Sequence, residues 1–292
     1  MKTYTYIAFL FLFTISTVNS QTTDCISYSS DSLSQRVVYK IIDGNALTMD
    51  IYKPNKFKSR KKYPTLVLFF GGGWKGGSIS QLEPQAKYFA SRGMVTVLVD
   101  YRVKSRQDTS PFEAVSDAKS AIRFLREHAK MYNVNPKKIA AMGASAGGHI
   151  GAATAMVSGL DEPFEDASIS SKANALVLLN PVIDNGPGGY GYERIGERYM
   201  EISPLHNITK GAPPTIVFQG TEDQHTPVAT IEKFKANMES AGNRCDLYLY
   251  EGEKHGFFNK GKQKGDTYYI ETVHDADLFL ESIGYLKGKP TI

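Results

Sequence analysis

One decapeptide, Ala140-Ala141-Met142-Gly143-Ala144-Ser145-Ala146-Gly147-Gly148-His149, limits what this chain can become. Its Gly143-x-Ser145-x-Gly147 pattern arises often enough by chance that the flanks must decide its meaning. Lys138 to Met142 is a short apolar run that suits a buried strand. Ala146 to Val157 is rich in Ala and Gly and suits a helix lying close on a sheet. Strand, sharp turn and helix are the setting in which a serine is lifted out of a strained turn. A Cβ at position 143 or 147 would collide with the neighbouring strand or helix, so small residues are required there. Such a turn presents the hydroxyl at the carboxyl end of a sheet, beside the positive end of the following helix. The competing reading is a glycine-rich turn carrying an ordinary serine, and the rest of the chain separates the two.

Taken in order, the chain predicts a sheet around that turn. Arg36 to Ile42 alternates on Val37, Tyr39 and Ile41; Asp43-Gly44 is a hairpin signal, and Leu47 to Tyr52 alternates again. Thr65 to Phe70, Met94 to Val99, Ala175 to Leu179, Thr215 to Gln219 and Asp246 to Tyr250 are short strand candidates, the first four of them apolar runs of buried parallel type. Helical spacing covers Gln81 to Arg92, Pro111 to Met131, Val228 to Ala241 and Thr272 to Leu286. A hairpin followed by alternating strands and helices is an α/β sandwich with a mostly parallel sheet. Sites in such sheets lie at the carboxyl ends of the strands. The one irregular stretch, residues 183–205, carries Asn185-Gly186-Pro187-Gly188-Gly189-Tyr190-Gly191 and is expected either as a small cap over the site or as a surface loop.

Composition closes several alternatives. The chain has 292 residues, 41% hydrophobic and 22% charged, with a net charge of +4, which excludes a disordered chain or a membrane bundle. No basic face with interleaved aromatics is present, so a nucleic-acid partner is not expected. Residues 1–20 read as a cleaved signal peptide, with Lys2 at its start, an apolar core from Ile7 to Val18 and small residues before Gln21. That core is short against the roughly 20 residues of a membrane span. The expectation is a mature domain over 21–292, secreted or periplasmic, with no stable membrane insertion. Cys25 and Cys245 would then meet an oxidising compartment, as a pair or as two unpaired thiols. Two cysteines and no Cys/His cluster give no metal signature, and no cofactor motif is seen.

The serine needs a base, and the base an acid to orient it. His255, in Glu253-Lys254-His255-Gly256-Phe257 after the last strand, is the candidate base. His149 on the elbow helix suits packing, His128 and His274 lie within helices, and His206 or His225 could line the site. Asp223, in Gly220-Thr221-Glu222-Asp223, follows a strand and is the candidate acid, weighed against its neighbour Glu222 and against a capping role before the helix at Val228. The order Ser145, Asp223, His255 matches one serine-hydrolase fold and not the others. Phe70-Gly71-Gly72-Gly73-Trp74 follows a strand; Gly72 and Gly73, with the N–H of Ala146, are candidate oxyanion donors. Trp74 is a candidate substrate-binding residue or a packing residue.

These residues, with Asp100-Tyr101-Arg102, Gly147-Gly148-His149, Pro227 and His255-Gly256-Phe257, resemble the α/β-hydrolase superfamily. Within it the chain is similar to the branch with His-Gly-Gly-Gly oxyanion loops: hormone-sensitive-lipase-like esterases and bacterial acetyl-xylan and feruloyl esterase-like proteins. Phe70 stands where that motif often has His, and the long N-terminal cap of the lipase-like group is missing. The resemblance implies a three-layer sandwich, with Ser145 as nucleophile, Asp223 as acid, His255 as base and Gly72, Gly73 and Ala146 as oxyanion donors. It also implies ester hydrolysis without a cofactor, the substrate being a small ester or an acylated polysaccharide, with deacetylation of a sugar polymer foremost. A feruloyl esterase, a general short-chain carboxylesterase or lipase, a peptidase and a non-catalytic binding module are the alternatives.

Overall fold

The central strands are apolar along their whole length because both of their faces are covered. A computed structural model describes residues 34–55 and 57–292. The expected signal segment and Cys25 lie outside the described residues. Along the chain run β1 (Ser34–Ile42), β2 (Asn45–Tyr52), β3 (Tyr63–Phe69), α1 (Glu83–Ser91), β4 (Val95–Val99), the short α2 (Lys104–Gln107) and α3 (Pro111–Glu127). Then follow β5 (Val134–Ala144), α4 (Ala146–Met156), β6 (Ala175–Leu179), the short α5 (Tyr192–Ile195), β7 (Thr215–Gly220), α6 (Val228–Ser240), β8 (Cys245–Tyr250) and α7 (Thr267–Ser282). The sheet order is β1-β2-β4-β3-β5-β6-β7-β8. The first two pairings are antiparallel and every later one is parallel.

Alternate residues of each central strand feed separate cores. Val67 and Phe69 of β3, Ala141 of β5 and Leu176 and Leu178 of β6 pack with α3, α4 and α6. Leu66 and Leu68, Ala140 and Met142, and Val177 and Leu179 pack with α1 and α7 on the other face. Three layers result, as expected of an α/β-hydrolase sandwich with an N-terminal hairpin. Burying each large apolar side chain in such a layer contributes roughly 1.5–3 kcal/mol.

The hairpin departs from its expected alternation. A bulge between Val38 and Lys40 shifts the register of β1. Ile41, expected inward, is 65% exposed, while Lys40 is 5% exposed. The reason lies far away in sequence. Lys40 Nζ donates to Asp117 Oδ1 and to Glu162 Oε1, each at 2.6 Å. Arg102 grips the same Asp117 through Nε at 2.9 Å and Nη2 at 2.8 Å. A lysine is tolerated in the core only when it is paired and hydrogen-bonded in this way.

Helix ends also move. The expected Gln81–Arg92 helix is split into a 3₁₀ turn, Ile79–Leu82, followed by α1 with a proline in its first turn. The helix from Pro111 stops at Glu127 rather than Met131, and the chain turns into β5 through Asn133 at φ 58°. The last helix begins at Thr267 rather than Thr272. Residues 183–205 contain α5 and a 3₁₀ turn, Gly196–Glu201, and run into a second, Pro204–His206. The ends of this segment are tied together: Leu205 N donates to Ile183 O at 3.0 Å and Asn185 N to Ser203 Oγ at 3.2 Å.

Candidate active site

Ser145 closes β5 and precedes α4 with φ 53° and ψ −117°, a conformation that costs a non-glycine residue about 1–3 kcal/mol. Its neighbours hold it there. Ser145 N donates to Leu179 O at 3.0 Å, and Ser145 O accepts from Val182 N at 3.1 Å and His149 N at 3.0 Å. The flanking glycines are obligatory by contact. A Cβ on Gly143 would fall 2.2 Å from Gly147 O, and one on Gly147 would fall 2.1 Å from Phe69 O.

The loops after β7 and β8 bring the other two side chains to the serine. His255 Nε2 lies 2.9 Å from Ser145 Oγ, and His255 Nδ1 lies 2.7 Å from Asp223 Oδ2. An ionised carboxylate can only accept, so Nδ1 carries the proton and Nε2 is left to accept from the serine hydroxyl. The Asp223 side chain is fully buried. Its Oδ1 accepts from His225 N at 2.9 Å and Thr226 N at 3.1 Å, and its Oδ2 from Thr226 Oγ1 at 3.0 Å. Burial raises the pKa of this carboxyl, but the hydrogen bond and charge of His255 and the two backbone donors outweigh it, so the value lies below the usual one. Glu222, the alternative acid, is exposed. The segment carrying His255 is set by Gly256 N, which donates to Asn180 Oδ1 at 2.8 Å.

The glycine loop lies directly against the serine: a Cβ on Gly71 would come 3.3 Å from Ser145 Cβ. Gly72 and Gly73 have φ of 127° and 62°. Gly72 O accepts from Lys75 N at 3.0 Å and Gly76 N at 3.3 Å. The peptide is planar, so fixing that carbonyl turns the N–H of Gly73 the opposite way. Among the described residues the N–H groups of Gly72 and Gly73 have no acceptor. The N–H of Ala146 opens α4 and has no partner within the helix. Two braces escaped the sequence reading. Gln81 Oε1 accepts from Gly71 N at 2.6 Å, and Tyr101 Oη donates to Phe70 O at 2.7 Å while its ring stacks on Phe70 at 4.2 Å. Phe70, the departure from the His-Gly-Gly-Gly pattern, therefore supports the loop by stacking.

Of the two readings of Trp74, substrate wall or packing residue, the structure shows a packed ring. It is 1% exposed and packs edge-on to His149 at 4.9 Å, beside Tyr190, with the Arg194 guanidinium 5.2 Å above its ring. The ring is used up in joining the elbow helix to the 183–205 segment. It lines a small cleft with Lys104, Thr109 and Arg194, not the larger cavity of about 620 Å³ beside the triad. His149 is fully buried, as its packing role required, with Nε2 donating to Ile202 O at 3.0 Å. His225 reaches the site: its ring meets that of His255 edge-on at 5.0 Å. Among the described residues no group of three or more His, Cys, Asp or Glu side chains could hold a metal, and no helix is long and apolar enough to cross a membrane.

A hydroxyl pre-aligned on an imidazole, next to unpaired N–H groups on a parallel sheet, is the working arrangement of an α/β-hydrolase that uses serine. Known proteins agree. The BD-FAE family model matches residues 49–187, and the dienelactone hydrolase family model matches residues 176–278. The structure of Thermogutta terrifontis esterase 2 phosphoramylated by tabun is 45% identical, with a TM-score of 0.85, covering 90% of this chain and 100% of that one. Its propionate-bound structure is 45% identical with a TM-score of 0.84, covering 88% and 97%. The acetylxylan esterase of Xylanibacter ruminicola is 29% identical over 231 residues, which are 73% of this chain and 44% of that protein. The chain spans about half the length of the first curated relatives it matches. It belongs to the esterases of the α/β-hydrolase superfamily.

Proposed function

We propose that the chain is a serine carboxylic-ester hydrolase that removes short acyl groups, acetyl foremost, from a polysaccharide or oligosaccharide. The observation that carries the chemistry is the unbroken chain Ser145 Oγ, His255 Nε2, His255 Nδ1, Asp223 Oδ2, with separations of 2.9 and 2.7 Å. Ser145 Oγ attacks the ester carbonyl while its proton passes to His255 Nε2. Asp223, ionised and buried, stabilises the imidazolium and holds its orientation. The carbonyl oxygen turns negative against the N–H groups of Gly72, Gly73 and Ala146, each such donor contributing about 3 kcal/mol to the transition state. Nε2 then protonates the departing alcohol. Water, deprotonated by the same nitrogen, releases the acid from Ser145.

The acetyl and sugar parts of this reading are supported by the similarity to an acetylxylan esterase and by the bound propionate of the Thermogutta relative. That same propionate favours a second reading, a general short-chain carboxylesterase. We further place the mature protein outside the cytoplasm, secreted or periplasmic, on the pattern of residues 1–20; N-terminal sequencing of the protein from its producing cell should find a start near Gln21. The catalytic reading is tested with 4-nitrophenyl acetate, butyrate and octanoate and with Ser145→Ala. Turnover that falls beyond acetate and vanishes in the variant is expected. Unchanged turnover in Ser145→Ala would refute the mechanism, and a profile rising toward octanoate would refute the short-acyl preference.

A further inference from the structure

The cavity of about 620 Å³ is lined by residues that contact each member of the triad. Val182, which lines it, donates its N–H to Ser145 O. Thr226, also lining, donates its hydroxyl to Asp223 Oδ2. His225, another lining residue, lies edge-on to His255 at 5.0 Å. The volume falls within the roughly 300–1,000 Å³ of ligand-sized sites and is far larger than an acetyl or propionyl group requires. The wall is also unsuited to a long acyl chain. The side chains of Lys75, Tyr190, Gln224, His225 and Thr230 have no hydrogen-bond partner among the described residues, so donors and acceptors ring the space. A polar group that binding removes from water unpaired is costly, and these groups need a ligand that both gives and takes hydrogen bonds around its edge.

We propose that this cavity is the alcohol subsite and seats a pyranose ring whose hydroxyl carries the acyl group. The inference rests on the ester-hydrolase reading above and deepens it. The side is set by chemistry. His255 Nε2 must protonate the leaving oxygen, and His225 is the lining residue packed against that imidazole. Gln224 and Thr230 flank His225 on the loop and first turn of α6 and complete the polar wall.

A seated sugar also gives the enzyme a second reaction. After an activated acetyl ester has acylated Ser145 and its alcohol has left, a sugar hydroxyl in the cavity attacks the acyl carbonyl in place of water. Its proton moves to His255 Nε2, the bond from Ser145 Oγ to the acyl carbon breaks, and that proton returns to Ser145 Oγ. The net change is transfer of acetyl from the donor ester to the sugar.

The test uses the full chain, 4-nitrophenyl acetate as donor, and methyl β-xylopyranoside or propan-1-ol as acceptor at equal concentration. The ratio of acetylated acceptor to free acetate is read by chromatography. This ratio belongs to the acyl-enzyme already formed and does not depend on how fast a variant acylates. The glycoside should exceed propan-1-ol by about tenfold, the advantage that about 1.4 kcal/mol of extra binding gives. Thr230→Phe, which fills the cavity, and Gln224→Ala should each lower the glycoside ratio toward that of propan-1-ol. A glycoside no better than propan-1-ol overturns the subsite, as does an advantage that survives both variants or a fall of both ratios together. If the wild-type chain releases no 4-nitrophenol and Ser145 does not react with a fluorophosphonate, the ester-hydrolase reading itself fails and takes the subsite with it.

Discussion

Acid should weaken this fold through a histidine that takes no part in the chemistry. His149 sits fully buried on α4, its Nε2 bonded to Ile202 O and its ring against Trp74. Burial pulls its pKa down from 6.5 to about 4, with the hydrogen bond to Ile202 O only partly opposing. In the unfolded chain the imidazole takes up its proton below about pH 6.5. In the folded chain it does not do so until about pH 4. Between these limits the unfolded state binds more protons, so stability is full above the unfolded value and falls as pH drops toward the folded one. A shift of this size is worth about 3 kcal/mol when fully expressed and about 2.5 kcal/mol at a pH near 4.5. Urea unfolding of the wild type and of His149→Gln near pH 7.5 and again near pH 4.5 measures it. Glutamine keeps a donor for Ile202 O but cannot titrate. The loss of stability between the two pH values should be smaller in the variant by about 2.5 kcal/mol, whatever its starting stability. Equal losses would refute the reasoning, because they would mean that the buried ring accepts a proton without unfolding.

Four further outcomes follow from the geometry. Asp223→Asn should leave the fold intact and lower kcat on 4-nitrophenyl acetate by about 10⁴, because the imidazole loses the acceptor that fixes its tautomer. Gln81→Met removes the acceptor of Gly71 N and should lower kcat about tenfold or more with little change in KM, a split that simple loss of folded protein would not give. Asp117→Asn removes the buried carboxylate that Lys40 and Arg102 share, leaving Glu162 to serve both, and should cost about 3 kcal/mol by thermal unfolding, whereas combining it with Lys40→Met should cost clearly less than the two single changes added together. Gly147→Ala drives a Cβ into the Phe69 carbonyl, backbone that cannot swing aside, and should destabilise by at least about 2 kcal/mol while abolishing turnover; a folded, active variant would show that the elbow relaxes.

Much of this was readable from sequence because the signals were local. Buried parallel strands announce themselves as apolar runs, and strand, glycine, serine, glycine, helix is one contiguous pattern. Ser145, Asp223 and His255 each stand just past a strand end, so placing the strands also placed the side chains. What escaped depends on contacts distant in the chain. The bulge that buries Lys40 exists for Asp117 and Glu162, 77 and 122 residues away. Trp74 stood open between pocket wall and packing residue, because its ring's contacts with His149, Tyr190 and Arg194 come from two other segments. Gln81 and Asn180 act through single bonds to backbone N–H groups, which leave no periodicity to read. The choice between Asp223 and Glu222 rested on one turn, in which Asp223 N donates to Gly220 O and the carboxylate swings inward.

The 183–205 segment is pinned from opposite sides. Arg194 Nη1 donates to Gly73 O at 2.6 Å, on the oxyanion loop, and Ile202 O is held by His149 on the elbow helix. The segment is thus fastened both to the glycine loop and to the elbow helix. Just before the Arg194 pin, Pro187 to Gly191 and Glu193 line the cavity. On the subsite proposed above, substitutions in that short span would change which alcohols are accepted while Ser145, His255 and Asp223 stay in place.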